Sequence, residues 1–589
     1  MARTPRTTAR PALGARAAWL CSAPLVLLGA CVAPDWERDA DRDVARILDD
    51  GTRRAIGDRE ARAARPRPGS GASKAEAEAL PGAGVRPAGG AEGAPGLGAP
   101  SAATAGETTV APGAEARVEG APGRAAEREP AARAESAAAP APTRVLSLAE
   151  ALDTAVRSNR ELLGQKDSLY QTALGLTGTR YAFSPRVASA LGYVFSGTDA
   201  GGSSHGATWS ASVAQQLPTG GDVSITGSTG FASGGGNTYD ASVAIHLTQP
   251  LLRGAGRDIA WESLTQAERS LLYAIRNFEL FRESFSIDVA RRFYELVQQK
   301  QALENQRRNL EGFVFGRKQA EALFSVGRTN ELEVLRARRS ELTSQNSLIE
   351  AEESLRLALD RFRIFLGLSE GEHVDVRDEE PAFVEVDFDV DSAVAVALEN
   401  RLDWLNQKEQ LEDARRGVRI AKNGLLPDLA LSLDYGLATG ASATFGGRPL
   451  DDGSYGAALS LDLPLQRTNE RNAYRSSQLA LASAERAVAQ FQDDLVASVR
   501  STFRELARRQ QSLAIQEQLI ADQVRNAKIA QLRFEQGDFS NRDLVEAQEA
   551  LLEARNALIQ EKVAYEIARL GLLKDLGLLF IDEKGMWKE

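Results

Sequence analysis

Two very long segments without proline limit what this chain can fold into. They run from about Asp258 to Phe324 and from about Asn469 to Phe534. At about 1.5 Å of rise per residue, sixty-odd helical residues make a rod of roughly 100 Å. The segment after each rod carries apolar residues every seven positions, namely Leu348, Leu355 and Phe362, then Leu544, Leu551, Leu558, Tyr565 and Leu572. Heptad spacing predicts that each rod packs with a returning helix as a coiled coil.

The segment before each rod alternates between apolar and small or polar residues. Period-two alternation predicts strands. Six such runs occur, marked by Val187 to Phe195, Trp209 to Leu217, Val223 to Phe231, Tyr239 to Leu247, Leu429 to Tyr435 and Tyr455 to Leu463. Strands of roughly ten residues with an apolar and a polar face are typical of a transmembrane β-barrel. A soluble sandwich gives the same alternation with its apolar side inward.

This order of segments occurs twice. The proline before the strands is Pro185 in one copy and Pro427 in the other, 427−185 = 242 residues apart, whereas the tip motifs are 534−324 = 210 apart. The first copy therefore has 32 extra residues, which contain two of the six strands. Six strands are too few to close a membrane barrel, and an open edge in lipid leaves backbone groups unpaired. If the strands meet lipid, the chain must oligomerise, with six strands per chain, or four if the extra hairpin stays outside the wall.

The N-terminus predicts export. Four arginines precede an apolar run that ends Leu28-Gly29-Ala30-Cys31, which is the pattern of a bacterial lipoprotein signal with Cys31 as the acylated residue. An ordinary signal peptide with Cys31 incidental is the alternative. We predict this division of the chain: 1–30 signal peptide; 31–143 disordered Ala/Pro/Gly-rich tether; 144–385 first repeat (strands about 186–249, helical hairpin 257–367); 386–580 second repeat (strands about 428–464, helical hairpin 468–577); 581–589 C-terminal tail.

Composition excludes several function classes. Removal of residues 1–30 moves the formal charge from −11 to −15, because four arginines and no acids are lost. An acidic chain without a basic patch argues against nucleic-acid binding. The three histidines, His205, His246 and His373, share no motif, and the sequence has no phosphate loop, His-Glu-x-x-His or Gly-x-Ser-x-Gly pattern. We therefore expect no enzyme activity, cofactor or metal site.

The duplicated order of helix, strands, long helix, Phe-x-x-Gly turn and return helix resembles the outer-membrane efflux protein (TolC) family over about Val145 to Leu579. The most diagnostic stretches are Phe324-Ser-Val-Gly327 through Val334, and Phe534-Glu-Gln-Gly537 through Leu544. The resemblance implies a mixed α/β membrane protein, with a long coiled-coil helical barrel in the periplasm joined to a transmembrane β-barrel shared among protomers of a homotrimer. Family members usually supply four strands per chain, and this chain has six.

The resemblance also implies functional positions at the periplasmic tip. Phe324, Gly327, Phe534 and Gly537 are the expected turn and adaptor-contact residues, although a glycine that ends a helix has the same pattern. Asp543 and Glu546, with Glu333 in the first copy, are candidates for an acidic ring at the tunnel entrance. Asp543 and Glu333 also close helix capping boxes, so a structural role remains open.

The expected function is that of a passive exit duct of a tripartite efflux or type I secretion system. Its expected partners are outer-membrane lipid, a periplasmic adaptor (membrane fusion) protein and an inner-membrane pump. We expect a lipid-anchored protein of the outer membrane that extends into the periplasm. The alternative is a coiled-coil scaffold lipoprotein that forms no pore, and the sequence does not separate efflux from protein secretion.

Overall fold

The computed structural model describes residues 36–63, 144–197, 202–234, 237–381, 383–384, 389–438, 452–536 and 538–588. Within these ranges the first elements are α1 (Trp36–Ala63), β1 (Arg144–Leu146), α2 (Leu148–Ser158), α3 (Arg160–Ala182), β2 (Arg186–Gly197), β3 (Ser203–Gln216), β4 (Asp222–Ser233), β5 (Asn237–Pro250), α4 (Arg257–Ala260), α5 (Glu262–Ser325) and α6 (Glu331–Leu366). They are followed by β6 (Val374–Val376), α7 (Val390–Asn400), α8 (Leu402–Asn423), β7 (Asp428–Ala438), β8 (Asp452–Asp462), α9 (Thr468–Gln536) and α10 (Asn541–Asp575).

The six long strands form one antiparallel sheet in the order β2-β3-β4-β5-β7-β8. The extra hairpin, β3 and β4, lies inside this sheet between β2 and β5. The chain therefore places six strands side by side in one sheet. The strands from the two halves of the chain join where β5 pairs with β7, the fourth and fifth strands of the sheet.

The two faces of the sheet differ in composition. Residues that pair across strands point to the same side, so the strand register shows which residues share a face. One row on the apolar face crosses all six strands and consists of Val187, Val213, Ile225, Ile245, Tyr435 and Tyr455. The adjacent row on the other face consists of Ala188, Ser212, Thr226, Ala244, Gly436 and Ser454. The period-two pattern in the sequence thus produces one apolar face and one face of small side chains.

The rods are the helices α5 and α9, with 64 and 69 residues. Each pairs with its return helix, α6 or α10, and α10 also packs on α5. The heptad residues of α10 face this packing, because Leu544, Tyr565 and Leu572 are buried. No helix within the described ranges is long and apolar enough to cross a membrane.

A hydrophobic core lies around the middle of the rods, where β1 and β6 pair in parallel. The end of the chain contributes to it, since Ile581 and Trp587 are buried in this cluster. Arg282 of α5 donates a hydrogen bond to the carbonyl of Asp582 at 2.7 Å, and the Ser286 hydroxyl donates to the carbonyl of Gly585 at 2.9 Å. The last residues therefore belong to the folded core.

Helix α1 corrects the predicted start of the tether. Residues 36–63 are helical, and Val44 and Ala55 are buried against Ala173 of α3 and Leu271 of α5. The prediction of disorder from residue 31 onward is wrong for this segment. The composition predicted disorder, but a charged helix can pack on other helices through a narrow apolar stripe. Residues 64–143 and Cys31 lie outside the described residues.

Charged and polar residues fill the contact between α5 and α8, where a coiled coil usually has apolar ones. Arg276 Nη2 lies 2.8 Å from Glu409 Oε1, and Arg269 Nε lies 2.5 Å from Asp413 Oδ1. Burial and its hydrogen bond to Asp413 raise the pKa of Tyr273 to about 12, so its hydroxyl donates to Asp413 Oδ2 at 2.7 Å. The α5 positions of this polar seam are four or three residues apart, as in a heptad: Glu262, Gln266, Arg269, Tyr273 and Arg276.

Candidate functional site at the helical tips and the sheet face

The first tip is the reversal between α5 and α6. Gly327 has a φ of 73°, the left-handed conformation that glycine adopts without strain. Its amide donates to the carbonyl of Phe324 at 3.0 Å, and the Arg328 amide donates to the carbonyl of Leu323 at 2.9 Å. A Cβ atom at Gly327 would meet nothing within 4 Å, so this turn is open to solvent.

The second tip joins α9 to α10. Gly537, the expected turn glycine here, lies outside the described residues. Past it, the Asp538 amide donates to the carbonyl of Arg533 at 2.9 Å, and the Arg533 guanidinium lies 5.1 Å from the centre of the Phe539 ring. These contacts connect the end of α9 to the residues that precede α10.

Asp543 begins α10 as part of a helix cap. Its Oδ2 accepts hydrogen bonds from the Ser540 amide at 2.9 Å and from the Ser540 hydroxyl at 2.8 Å. These bonds favour the charged carboxylate and lower the pKa of Asp543. Glu546 lies one turn further along the helix, and both side chains are exposed. Asp543 therefore caps the helix and also presents charge at the tip.

The corresponding residues of the first tip do not present the same charge. Arg336 holds the position of Glu546, and its Nη1 lies 2.6 Å from Glu333 Oε1. The Glu333 side chain is only 18% exposed, and its amide donates to the side chain of Asn330 at 3.0 Å. Of the three candidate acidic residues, Asp543 and Glu546 carry exposed charge, whereas Glu333 is paired.

The two tip phenylalanines also differ. Phe324 is 47% exposed, whereas Phe534 is 5% exposed. The sequence pattern predicted the same contact role for both residues, but burial keeps the Phe534 side chain away from any partner surface. Sequence spacing could not separate them, because both residues occupy the same position of the Phe-x-x-Gly pattern.

The small-residue face of the sheet contains a polar cluster that the sequence did not reveal. His246 Nδ1 lies 2.5 Å from Asp434 Oδ1, and the Thr248 hydroxyl lies 2.9 Å from His246 Nε2. The His246 and Asp434 side chains are about half exposed. The pair connects β5 with β7, and its members are 188 residues apart in the sequence. The only early signal was that both residues fall on the polar side of their strands.

Comparison with known proteins agrees with this architecture. Residues 393–578 match the family model described as outer membrane efflux protein. The outer membrane protein TolC of Salmonella enteritidis is 23% identical over 380 residues, which are 62% of this chain and 74% of that protein. TolC of Escherichia coli (strain K12) is 22% identical over 382 residues, with the same two shares.

By these matches the chain resembles the outer membrane efflux protein family. Solved structures of outer-membrane channels have a similar fold. The CmeC channel of Campylobacter jejuni matches with a TM-score of 0.55 and 17% identity, over 73% of this chain and 85% of that one. VceC of Vibrio cholerae matches with a TM-score of 0.54 and 16% identity, over 73% and 96%.

Proposed function

We propose that the chain is one subunit of a homotrimeric duct through which substrates leave the cell passively across the periplasm and outer membrane. The observation that carries this proposal is the pair of open edges of the sheet. Within the described residues, β2 and β8 each have a paired strand on one side only. Val187 on β2 is 74% exposed and Tyr455 on β8 is 91% exposed.

Such edges are unfavourable in lipid, where backbone groups must pair within the protein. Copies of the chain can remove them by pairing β8 of one copy with β2 of the next. The apolar face then meets lipid, and the face of small residues lines a water-filled lumen. Closure by copies therefore accounts for both the edges and the two faces.

The long helices also have exposed apolar side chains on their surfaces. On α6, Leu335, Leu342 and Ile349 are exposed at seven-residue spacing, and on α9, Ile515 and Ile529 are exposed two heptads apart. Exposed apolar stripes with heptad spacing are typical of coiled-coil contacts between chains. They support assembly along the rods as well as along the sheet.

The tips are the proposed docking site for the adaptor and the pump. Gly327 and Phe324 lie at the first turn, where a periplasmic adaptor would bind, and Gly537 is the glycine at the corresponding position of the second copy in the sequence. An inner-membrane pump would supply the substrate. Three copies of Asp543 and Glu546 would converge at the entrance as a ring that attracts cations and repels anions. Docking would separate the tips and widen this entrance, and no bond is made or broken.

Planar-bilayer recording of the purified protein, combined with its native mass, tests this function. We expect a mass of three chains and small openings that prefer cations. A well-folded protein that leaves the bilayer silent would contradict the duct and would support a scaffold that forms no pore.

Efflux and protein secretion can be distinguished in the native host. If the chain serves efflux, its deletion should raise the accumulation of the dye ethidium, and the intact gene should restore low accumulation. If it serves only a type I secretion system, dye accumulation should not change.

Mass spectrometry of the mature N-terminus tests the proposed lipid on Cys31, which would anchor the tether to the outer membrane.

A further inference from the structure

We propose that the hairpin of β3 and β4 widens the outer-membrane lumen, so that substrates as broad as a pair of packed α-helices can pass. This inference rests on the proposed trimer. It concerns the size of the substrate, which follows neither from the tips nor from the resemblance to the efflux protein family.

The first support is that the hairpin is a full part of the wall. β3 pairs with β2 from Arg186–Ala214 to Gly197–Ser203, and β4 pairs with β5 from Asp222–Thr248 to Ser233–Asn237. Without the hairpin, β2 and β5 would be direct neighbours. The hairpin therefore adds two strands to the circumference of the sheet and does not lie over it as a flap.

The turn of the hairpin is fixed to the helical side of the sheet. Thr219 accepts a hydrogen bond from the Gly256 amide at 3.0 Å and one from Gln249 Nε2 at 3.1 Å, both at its carbonyl oxygen. Gly220 has a φ of 94° and packs against the backbone of Gly254 so closely that a Cβ atom would overlap its carbonyl. The turn thus rests on the junction where β5 leads into the long helix.

The hairpin keeps the lumen side free of bulky groups. On the face that we assign to the lumen, it carries only small side chains and glycine along most of its length: Ser204, Gly206, Thr208, Ser210, Ser212 and Ala214 in β3, and Ser224, Thr226, Ser228, Gly230 and Ala232 in β4. Its large residues, Trp209, Val213, Ile225 and Phe231, lie on the opposite face. The added strands therefore enlarge the lumen and do not fill it.

The gain in width can be estimated from strand geometry. Strands about 4.8 Å apart and tilted by about 40° give a backbone radius of about 18 Å for three copies of six strands, and about 12 Å for three copies of four. One layer of side chains takes about 5 Å, so the open diameters are about 26 Å and about 14 Å. A single α-helix of about 12 Å fits both, whereas two packed helices, about 20 Å across, fit only the wider lumen.

A deletion variant isolates this effect. Removal of residues 203–236 joins β2 to β5 through residues 198–202. Position 237 takes the register position of 203, because Tyr239, two residues further, lies on the side that carries Phe195 and His205, as Ser203 does. The alternation of faces is therefore preserved in the remaining four strands.

Labelling of a cysteine in the lumen measures the width. Ser242→Cys places a thiol on the small-residue face of β5, and Val243→Cys places one on the apolar face beside it. Maleimide-coupled polyethylene glycols of about 12 Å and about 20 Å across, matched to one and two helices, are added outside cells. The chain without either substitution gives the background labelling, which would include Cys31 only where its sulfur carries no lipid.

We expect both reagents to label Ser242→Cys in the full chain and only the smaller one to label it in the deletion variant. Exclusion of the larger reagent from the full chain would overturn the inference even if the deletion variant failed to fold. Equal labelling of the full chain and the deletion variant by the larger reagent would also overturn the inference. If even the small reagent labelled Ser242→Cys no better than Val243→Cys, the proposed duct itself would fail.

Discussion

Arg336 forms an ion pair with Glu333 at the first tip, with 2.6 Å between Nη1 and Oε1. At the second tip the same two positions hold Asp543 and Glu546, which carry like charges. The two hairpins of one chain therefore differ in electrostatics although they share their turn pattern. At these two matched positions, an assembly of copies would present unpaired acidic charge from the second hairpin only.

Neutralising the second tip should change conduction. In Asp543→Asn, Glu546→Gln the acidic charges are lost, while the amide oxygen at position 543 can still accept the capping bonds from Ser540. We expect larger openings and a weaker preference for cations in bilayer recordings. The control is Glu333→Gln, Arg336→Gln, which removes a neutralised pair and should leave ion preference unchanged. Equal effects of both variants would contradict the assignment.

The cap of α10 should weaken in acid. Its hydrogen bonds lower the pKa of Asp543 below the ordinary 3.8. A group with a lowered pKa stabilises the folded state above its unfolded pKa, and this contribution is lost as the pH falls through the folded pKa. We expect faster amide exchange at residues 540–545 at pH 3 than at pH 7, after correction for intrinsic rates. Asp543→Asn should show no such pH dependence.

A large side chain at the first tip should separate turn geometry from partner contact. Gly327→Asn tests the backbone, because asparagine tolerates the left-handed conformation, and it should cost about 1 kcal/mol or less. Gly327→Trp adds bulk in open space. We expect a lower melting temperature for the tryptophan variant than for the asparagine variant, because a bulky residue is more strained at this positive φ. We expect a defect in export for the tryptophan alone. Normal export by Gly327→Trp would argue against a partner at this turn.

Docking of α1 should depend on its narrow apolar stripe. Val44→Asp puts a carboxylate where the side chain is buried against α3 and α5, which burial makes costly. We expect amide exchange to rise across residues 38–56 while the rods stay protected. Ala45→Asp, at the exposed neighbouring position, adds the same charge and should have little effect. Unchanged protection in Val44→Asp would mean that other contacts hold the helix.

The polar seam between α5 and α8 should respond differently to single and double substitution. Arg276→Ala removes the guanidinium that binds Asn406 and Glu409 Oε1, and leaves Glu409 only its longer contact with Arg269 at 3.7 Å. We expect a loss of about 2 kcal/mol, since Glu409 also keeps partial access to water. Arg276→Met, Glu409→Met removes both charges and should recover most of that loss. The midpoints of thermal unfolding measure both. A double variant as unstable as the single one would show that the seam stabilises by more than charge pairing.

Local patterns in the sequence were sufficient to predict the secondary-structure elements. The alternation from Val187 to Phe195 predicted a strand, and the heptads from Leu544 to Leu572 predicted a helix that packs along a rod. The structure has both. These patterns are readable because strand and helix periodicity depends on neighbours a few residues apart.

Long-range packing decided the rest. The sequence by itself determined the strands, the rods and the position of the reversals. Only the tertiary structure decided that β3 and β4 enter the sheet, that α1 docks, and that Phe534 is buried while Phe324 is exposed. It also brought His246 beside Asp434 across 188 residues of sequence. Periodicity predicts which face of a helix or strand each residue occupies. The residue that packs against it on that face comes from a distant segment, and its position depends on how all the helices and strands pack together.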